Sequence, residues 1–211
     1  VARDLGNQGV TLRFTREVRV GHDDALGDAV AATAGMQARA VLHQLRAKAG
    51  VADAPAGAPQ GVTVRPIDLD ADAEAWTRLH EASFPGAFVR AVDTPAGIQA
   101  RLAALTPPAF TVLVVPDPEI PGQLIAAVST VRHQSAPGAP VLGEIAALSV
   151  DADWRRQGVG SYLLSLALAD LAEHGARTVV AYVEDANEAG QALFARHGFK
   201  LRAHRTYYSL P

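Results

Sequence analysis

One stretch constrains the fold of this chain more than any other. Residues 144–150, EIAALSV, are apolar enough for a buried strand, and they lead through a basic turn into an apolar helix that runs to about Glu173. Gly158 and Gly160 in that turn let the backbone come close to a ligand, and the N–H groups of a first helical turn favour anions. The sequence therefore predicts a phosphate-binding turn in a protein that mixes strands and helices. The alternative is that the two glycines only permit a tight turn.

Two common phosphate motifs do not match this turn. The dinucleotide fingerprint needs three glycines on the first strand of its unit, and the P-loop ends in Gly-Lys-Ser/Thr. The turn instead carries Arg155 and Arg156, whose charges suit contacts with peripheral phosphates. A different phosphate carrier is expected.

The turn and a later segment together resemble the GNAT N-acyltransferase superfamily. RRQGVG, residues 155–160, resembles its acyl-CoA pyrophosphate signature, Gln/Arg-x-x-Gly-x-Gly/Ala. NEAGQALFARHGF, residues 187–199, resembles its late helix, Asn-x-x-Ala-x-x-Leu-Tyr-x-x-x-Gly-Phe. The resemblance implies an α/β (α+β) fold with a mixed, mostly antiparallel central sheet flanked by helices. Residues 61–211 would form the acyltransferase domain, and residues 1–60 an N-terminal strand–helix extension with a linker.

The resemblance also implies an activity and a set of site residues. The expected reaction is transfer of an acetyl or small acyl group from acetyl-CoA to a primary amine, by direct attack in a ternary complex. Glu144 matches the position of the carboxylate base in members that use one. The coenzyme A contacts implied are Leu148, Ser149 and Val150 for the pantetheine arm, Arg155, Arg156, Gln157, Gly158, Val159, Gly160 and Ser161 for the pyrophosphate, and Asn187 and Phe194 beside the cofactor arm.

The late helix departs from the family pattern at one position that bears on the chemistry. Phe194 stands where the superfamily usually has a tyrosine proposed to protonate the departing thiolate. A thiol with a pKa of about 8.5 leaves readily, whereas freeing an amine of pKa about 10.4 at pH 7 costs about 4–5 kcal/mol, so the base matters more. Tyr207 or Tyr208 is a hypothetical substitute. The departure leaves open an acyl-CoA-binding regulatory module without turnover. A third function is a scaffold whose N-terminal helix pairs subunits and whose glycine turn is only structural.

Several candidates have a purely structural alternative. Glu144 could instead be the first residue of its strand, with its carboxylate in solvent at the sheet edge. Asn187, or Asp185, fits the N-cap of the helix that follows. His133, at a strand end, fits an exposed histidine better than a substrate contact or a second base. Three aromatic residues are interpreted as core or lid residues rather than acceptor-site walls: Trp76, Phe84 and Phe88.

The rest of the chain alternates between strand and helix patterns. The N-terminal segment predicts a strand over residues 10–20, a helix from Asp24 to about Lys48 and an Ala/Pro/Gly-rich linker over residues 51–61. The C-terminal segment is too short for the two-strand hairpin common in the superfamily, so residues 10–20 are expected to fill the vacant sheet position, from the same chain or in a homodimer. Further predicted elements are strands over 62–68, 110–115, 124–133, 178–183 and 199–210, and helices over 71–83, 94–105 and 186–198.

Composition excludes several classes of function. A net charge of −3 gives no field that would gather nucleic acid. The chain has no cysteine and no His-x-x-x-His pair, so no metal site is predicted. The absence of cysteine fits a cytoplasmic protein. No run approaches the roughly 20 apolar residues that span a bilayer, so no membrane contact is expected. The partner that the resemblance implies is a small-molecule or peptide amine.

Overall fold

The computed structural model of this protein describes residues 13–19, 25–50, 57–84 and 110–210. Its strands are β1 Arg13–Arg19, β2 Gln37–Lys48, β3 Arg65–Pro66, β4 Phe110–Pro116, β5 Leu124–His133, β6 Val141–Val150, β7 Ala176–Glu184 and β8 Lys200–Ser209. Its helices are α1 Ala25–Thr33, α2 Leu69–Ser83, α3 Val159–Glu173 and α4 Glu188–Arg196. Within the described ranges the strands form one sheet in the order β1-β8-β2-β7-β6-β5-β4-β3. β6 and β7 run parallel and the other neighbours antiparallel, which confirms the mixed, mostly antiparallel sheet.

The two longest helices cover opposite faces of this sheet. Side chains alternate between faces along β5. Accordingly, Ala126 and Val128 pack in the main core with α3, whereas Ala127 packs in a second cluster with Trp76 of α2. The α3 residue Leu171 is fully buried, which places the main core between α3 and the sheet. The interpretation of Trp76 as a core residue is confirmed.

The helix predicted from Asp24 to Lys48 is wrong beyond Thr33. α1 ends there, Gly35 follows at φ +69°, and residues 37–48 form the long strand β2. The alanines of this segment favour a helix when considered alone. Pairing with β7 on one side and β8 on the other overrides that preference, and Leu42 and Leu45 become buried. Gly35 was the stop signal that the sequence interpretation overlooked.

The N-terminal strand does join the sheet of its own chain. β1 pairs with β8 along its whole length, from Arg13↔Ser209 to Arg19↔Ala203. β2 enters between β7 and β8, so the single C-terminal strand is flanked on both sides by strands from the N-terminal segment. The expectation that residues 10–20 reach the sheet is confirmed for residues 13–19. The boundary near residue 60 and the homodimer stay predictions.

Smaller differences concern the elements around α2. The helix begins at Leu69, two residues before the predicted start, and is capped by Asp68. β3 is shorter than the predicted strand over 62–68. Asp72 is buried and forms a bidentate ion pair with Arg65 of β3, at 2.5 and 2.8 Å. The predicted helix over 94–105 and Phe88 lie outside the described residues. Among the described helices, none is long and apolar enough to cross a membrane.

Candidate functional site

The parallel strands β6 and β7 stop pairing midway along their length and diverge. Their pairing begins at Val141↔Ala176 and ends at Ile145↔Ala181. An irregularity in the β5–β6 pairing falls at the same level, where the register skips Ala146, and such bulges bend a strand and increase its twist. Residues 147–150 therefore pair with β5 on one edge only. Main-chain groups on the other edge face the gap between the strands.

The predicted pantetheine residues lie on this diverging part of β6. Leu148 and Val150 pack against the main core, and Ser149 points to the opposite face. Ser149 is 1% exposed, and its hydroxyl has no hydrogen-bond partner among the described residues. The main chain of the three residues lies on this diverging edge, and their contact with the pantetheine arm stays a prediction.

The turn after β6 is held by its own side chains. Arg155 Nε donates to the carbonyl of Val150 at 3.1 Å, and Gln157 Nε2 donates to the carbonyl of Asp153 at 2.8 Å. Arg156 has φ +65°, the only positive φ of a non-glycine residue in the described ranges, and Gly158 has φ +86°. Left-handed residues of this kind turn successive N–H groups toward one concave side, which is a common anion-binding arrangement.

The helix that begins at this turn is open at its N-terminus. Side chains cap α2 and α4, namely Asp68 and Asn187, whereas Gly158 at the N-cap of α3 provides none. The first N–H groups of α3 therefore lack an intrahelical partner and carry the positive end of the helix dipole. Gly160 lies close to neighbouring elements, since an added Cβ would be 3.4 Å from Val150 Cγ2 and 3.5 Å from Leu193 Cδ2.

Glu144 and His133 meet on the other face of the sheet. Glu144 Oε2 lies 2.7 Å from His133 Nε2, and the side chains are 25% and 50% exposed. Glu144 is the fourth residue of β6, so the alternative that it begins the strand is wrong. Antiparallel pairing of β5 with β6 brings together two residues that the sequence indicated separately. A carboxylate paired with an imidazole can accept a proton from a substrate and pass it to solvent.

Comparison with known proteins identifies the family to which this chain belongs. Residues 73–199 match the model of the acetyltransferase (GNAT) family. The chain belongs to this family. It is 33% identical over 204 residues to a mycothiol acetyltransferase of Cellulomonas flavigena, an alignment that covers 90% of this chain and 57% of that protein. It is 34% identical over 169 residues to one of Salinispora tropica, with 79% and 54% covered.

Solved GNAT structures share the fold. A GCN5-related N-acetyltransferase from Sphaerobacter thermophilus superposes with a TM-score of 0.70 at 16% identity, covering 94% of this chain and 59% of that one. A tandem GNAT protein from the clavulanic acid biosynthesis pathway gives 0.69 at 16% identity, covering 94% and 63%. The chain thus spans a little over half the length of these curated relatives and of the Sphaerobacter structure.

The late GNAT helix, α4, starts at the position its motif predicts. Asn187 is its N-cap, and Asn187 Oδ1 accepts a hydrogen bond from the Gly190 N–H at 2.9 Å. The capping interpretation of Asn187 is confirmed, and its contact with cofactor stays a prediction. Gly190 replaces the alanine of the family pattern, and an added Cβ there would lie 2.8 Å from Asn187 Nδ2. Phe194 is 6% exposed and packs edge-on against Phe199, at 4.9 Å between centroids.

Ser161 of the glycine turn has a histidine partner that lies far from it in the sequence. Ser161 Oγ lies 2.7 Å from His197 Nε2, across a separation of 36 residues. Burial lowers the pKa of His197 below its ordinary value of 6.5, and the nearby Arg196 charge lowers it further. The pair joins the first turn of α3 to the C-terminal end of α4. No short motif could have indicated it.

A second polar group was also missed by the sequence interpretation. Tyr182 of β7 lies just past the end of the β6–β7 pairing, and its hydroxyl contacts Gln44 of β2 and Arg205 of β8. The three strands are adjacent in the sheet but distant in the chain. Because residues 37–48 were predicted to be helical, a contact between Gln44 and a strand residue was not expected.

Proposed function

We propose that this chain transfers an acetyl group from acetyl-CoA to an amine by direct attack within a ternary complex. The proposal rests on one observation: β6 separates from β7 directly before a helix whose N-terminus has no side-chain cap. An extended pantetheine arm suits the free edge of residues 146–150, and a pyrophosphate suits the donors of residues 155–161. Membership of the GNAT family supports the same reaction.

The proposed roles follow from the chemistry of each position. Main-chain N–H groups of Gly158, Val159, Gly160 and Ser161 bind the pyrophosphate, and Arg156 contributes charge. Arg155 and Gln157 support the turn through their hydrogen bonds to its carbonyls. Asn187 and Phe194 border the cofactor arm.

Glu144 accepts the amine proton, directly or through water, with His133 as its partner. Freeing an amine of pKa about 10.4 costs about 4–5 kcal/mol at pH 7, so this base has a substantial barrier to lower. Holding amine and thioester in contact contributes more, about 7–11 kcal/mol in favourable cases. Most of the rate is therefore expected to come from positioning.

The acceptor is proposed to be a primary amine of a small molecule. The relatives named mycothiol acetyltransferase make an amine related to mycothiol the first acceptor to test. Residence in the cytoplasm and association of two chains through the N-terminal segment are proposed as well.

The test is release of free thiol from acetyl-CoA with a panel of amines, together with calorimetry of CoA binding. The proposal expects micromolar to millimolar KM values and one acetylated amine per thiol released. Binding without thiol release would instead favour a regulatory module, and absence of both would refute the assignment of a cofactor site.

A further inference from the structure

The hydroxyl of Tyr182 has fixed hydrogen-bond partners. Arg46 Nε donates to Gln44 Oε1 at 3.1 Å, so the amide of Gln44 must turn its Nε2 toward the tyrosine. Gln44 Nε2 then donates to the Tyr182 oxygen at 2.8 Å. An Nη atom of Arg205 donates to the same oxygen at 3.2 Å, and its guanidinium carbon lies 4.6 Å from the ring centroid.

Because of these contacts, the Tyr182 hydroxyl can only donate a hydrogen bond to a ligand. A phenolic oxygen accepts two hydrogen bonds and donates one. Gln44 and Arg205 occupy both acceptor positions, so the O–H proton of Tyr182 is directed away from them. Tyr182 is therefore a donor to whatever binds beside it. Arg205 also places a positive charge where negative charge on the phenolic oxygen would be stabilised.

Tyr182 and Glu144 lie on the same face of the sheet, on either side of the gap. Val180 pairs with Glu144, and Tyr182 is two residues further along β7, one step past the last residue that pairs with β6. With a strand spacing of about 4.8 Å and a rise of about 3.3 Å per residue, the two Cα atoms lie at least about 8 Å apart. That separation accommodates a reacting amine and thioester between a base and a proton donor.

We propose that Tyr182 donates a proton to the departing thiolate, the role that Phe194 cannot fill; this inference rests on the proposed acetyl transfer. The amine nitrogen forms a bond to the thioester carbonyl carbon, and its proton passes to Glu144. The carbon–sulfur bond breaks, the sulfur keeps the electron pair, and the Tyr182 O–H proton moves to the sulfur. The resulting phenolate, held by Gln44 and Arg205, regains the proton that Glu144 took, through water. Amine and thioester become amide and free thiol.

The two tyrosines suggested by the sequence are less suited. The Tyr208 hydroxyl donates to Asp28 Oδ1 at 2.6 Å, so its proton is already committed. Tyr207 belongs to β8, which β2 and β7 separate from β6. The gap between β6 and β7 begins two strand spacings, about 10 Å, from β8, farther than the phenol side chain of Tyr207 reaches.

The test is Tyr182→Phe, with Tyr207→Phe as the matched control. General acids typically contribute 10²–10⁴-fold, and a thiol is a good leaving group, so we expect kcat to fall about 10- to 100-fold in Tyr182→Phe. The KM for the amine and the Kd for CoA should stay within about twofold of wild type. Phe194→Tyr, added to Tyr182→Phe, should recover part of the lost kcat, whereas Tyr207→Phe should not change it.

A second variant keeps the test valid if Tyr182→Phe unfolds. Gln44→Leu retains the phenol but frees one acceptor position, and a smaller fall in kcat at unchanged amine KM is expected. An unchanged kcat in Tyr182→Phe, or an effect confined to the amine KM, would overturn the inference while wild-type turnover still supports the proposed function. Failure of the wild type to release thiol with any amine would refute the proposed function itself, and the inference with it.

Discussion

Replacing Gly158 by alanine tests the backbone conformation on which the cofactor turn depends. Gly158 has φ +86°, where an alanine costs about 1–2 kcal/mol because its Cβ crowds the backbone. The added Cβ would lie 3.7 Å from Pro59 Cγ, an ordinary contact, so strain is the whole stability cost. For a chain of this size the melting temperature should fall by about 2–8 °C. If the turn relaxes to relieve the strain, its N–H groups turn away, and losing one or two such contacts at about 0.3–2 kcal/mol each should weaken CoA binding about 10-fold.

Gly122→Ala is the matched control for Gly158→Ala. Gly122 lies between β4 and β5 at φ +76°, and an added Cβ meets nothing within 4 Å. Thermal unfolding should show similar losses in both variants, while calorimetry should show weaker CoA binding only in Gly158→Ala. Equal CoA affinity in the two variants would refute the reasoning that this backbone conformation holds the pyrophosphate.

Three further predictions concern charged and titrating groups. Glu144→Gln should lower kcat about 10²–10⁴-fold yet leave measurable thiol release, because positioning remains; complete loss, or no loss, would contradict this. Asp72→Asn should lower the free energy of unfolding by about 1–3 kcal/mol at pH 7, measured in urea, because Arg65 is partly exposed and the pair is partly screened. The hydrogen bond from Arg65 lowers the Asp72 pKa below 3.8. The stability that this pair contributes is therefore present above about pH 4 and is lost as the pH falls through the folded-state pKa. The free energy of unfolding of the variant should change less with pH in that range. Because the pKa of His197 is lowered in the folded state, its contribution to the free energy of unfolding is present above pH 6.5. That contribution is lost as the pH falls through the folded-state pKa. His197→Asn should reduce the loss of stability below pH 6.5, and an identical pH dependence in wild type and variant would contradict this.

The sequence predicted those parts of the site that depend on local pattern. The glycine turn and the start of α4 are each specified by residues within a few positions of one another, so Gly158 and Asn187 could be located from the motifs alone. Glu144 was indicated because it matches the position of the carboxylate base in members of the family that use one. Its pairing with His133 required the β5–β6 register, which a single sequence does not reveal.

The remaining features depend on pairing between distant segments. The alanine-rich residues 37–48 carry a helix preference, and only the neighbouring strands β7 and β8 make them a strand. Gln44 thereby comes to the hydroxyl of Tyr182, 138 residues away. The contact between Ser161 and His197 likewise joins two helices through the fold. Tertiary contacts of this kind outweigh local propensity, and they supply the residues that the motifs omit.

The central claim is that main-chain N–H groups of residues 158–161 bind the pyrophosphate of coenzyme A. Backbone amide NMR with ¹⁵N-labelled protein tests it most directly, by titration with CoA and, in parallel, with pantetheine, which lacks the phosphates. The amide resonances of Gly158, Val159, Gly160 and Ser161 should shift with CoA and stay unchanged with pantetheine. CoA binding that leaves these four amides unshifted, or no CoA binding at all, would contradict the claim.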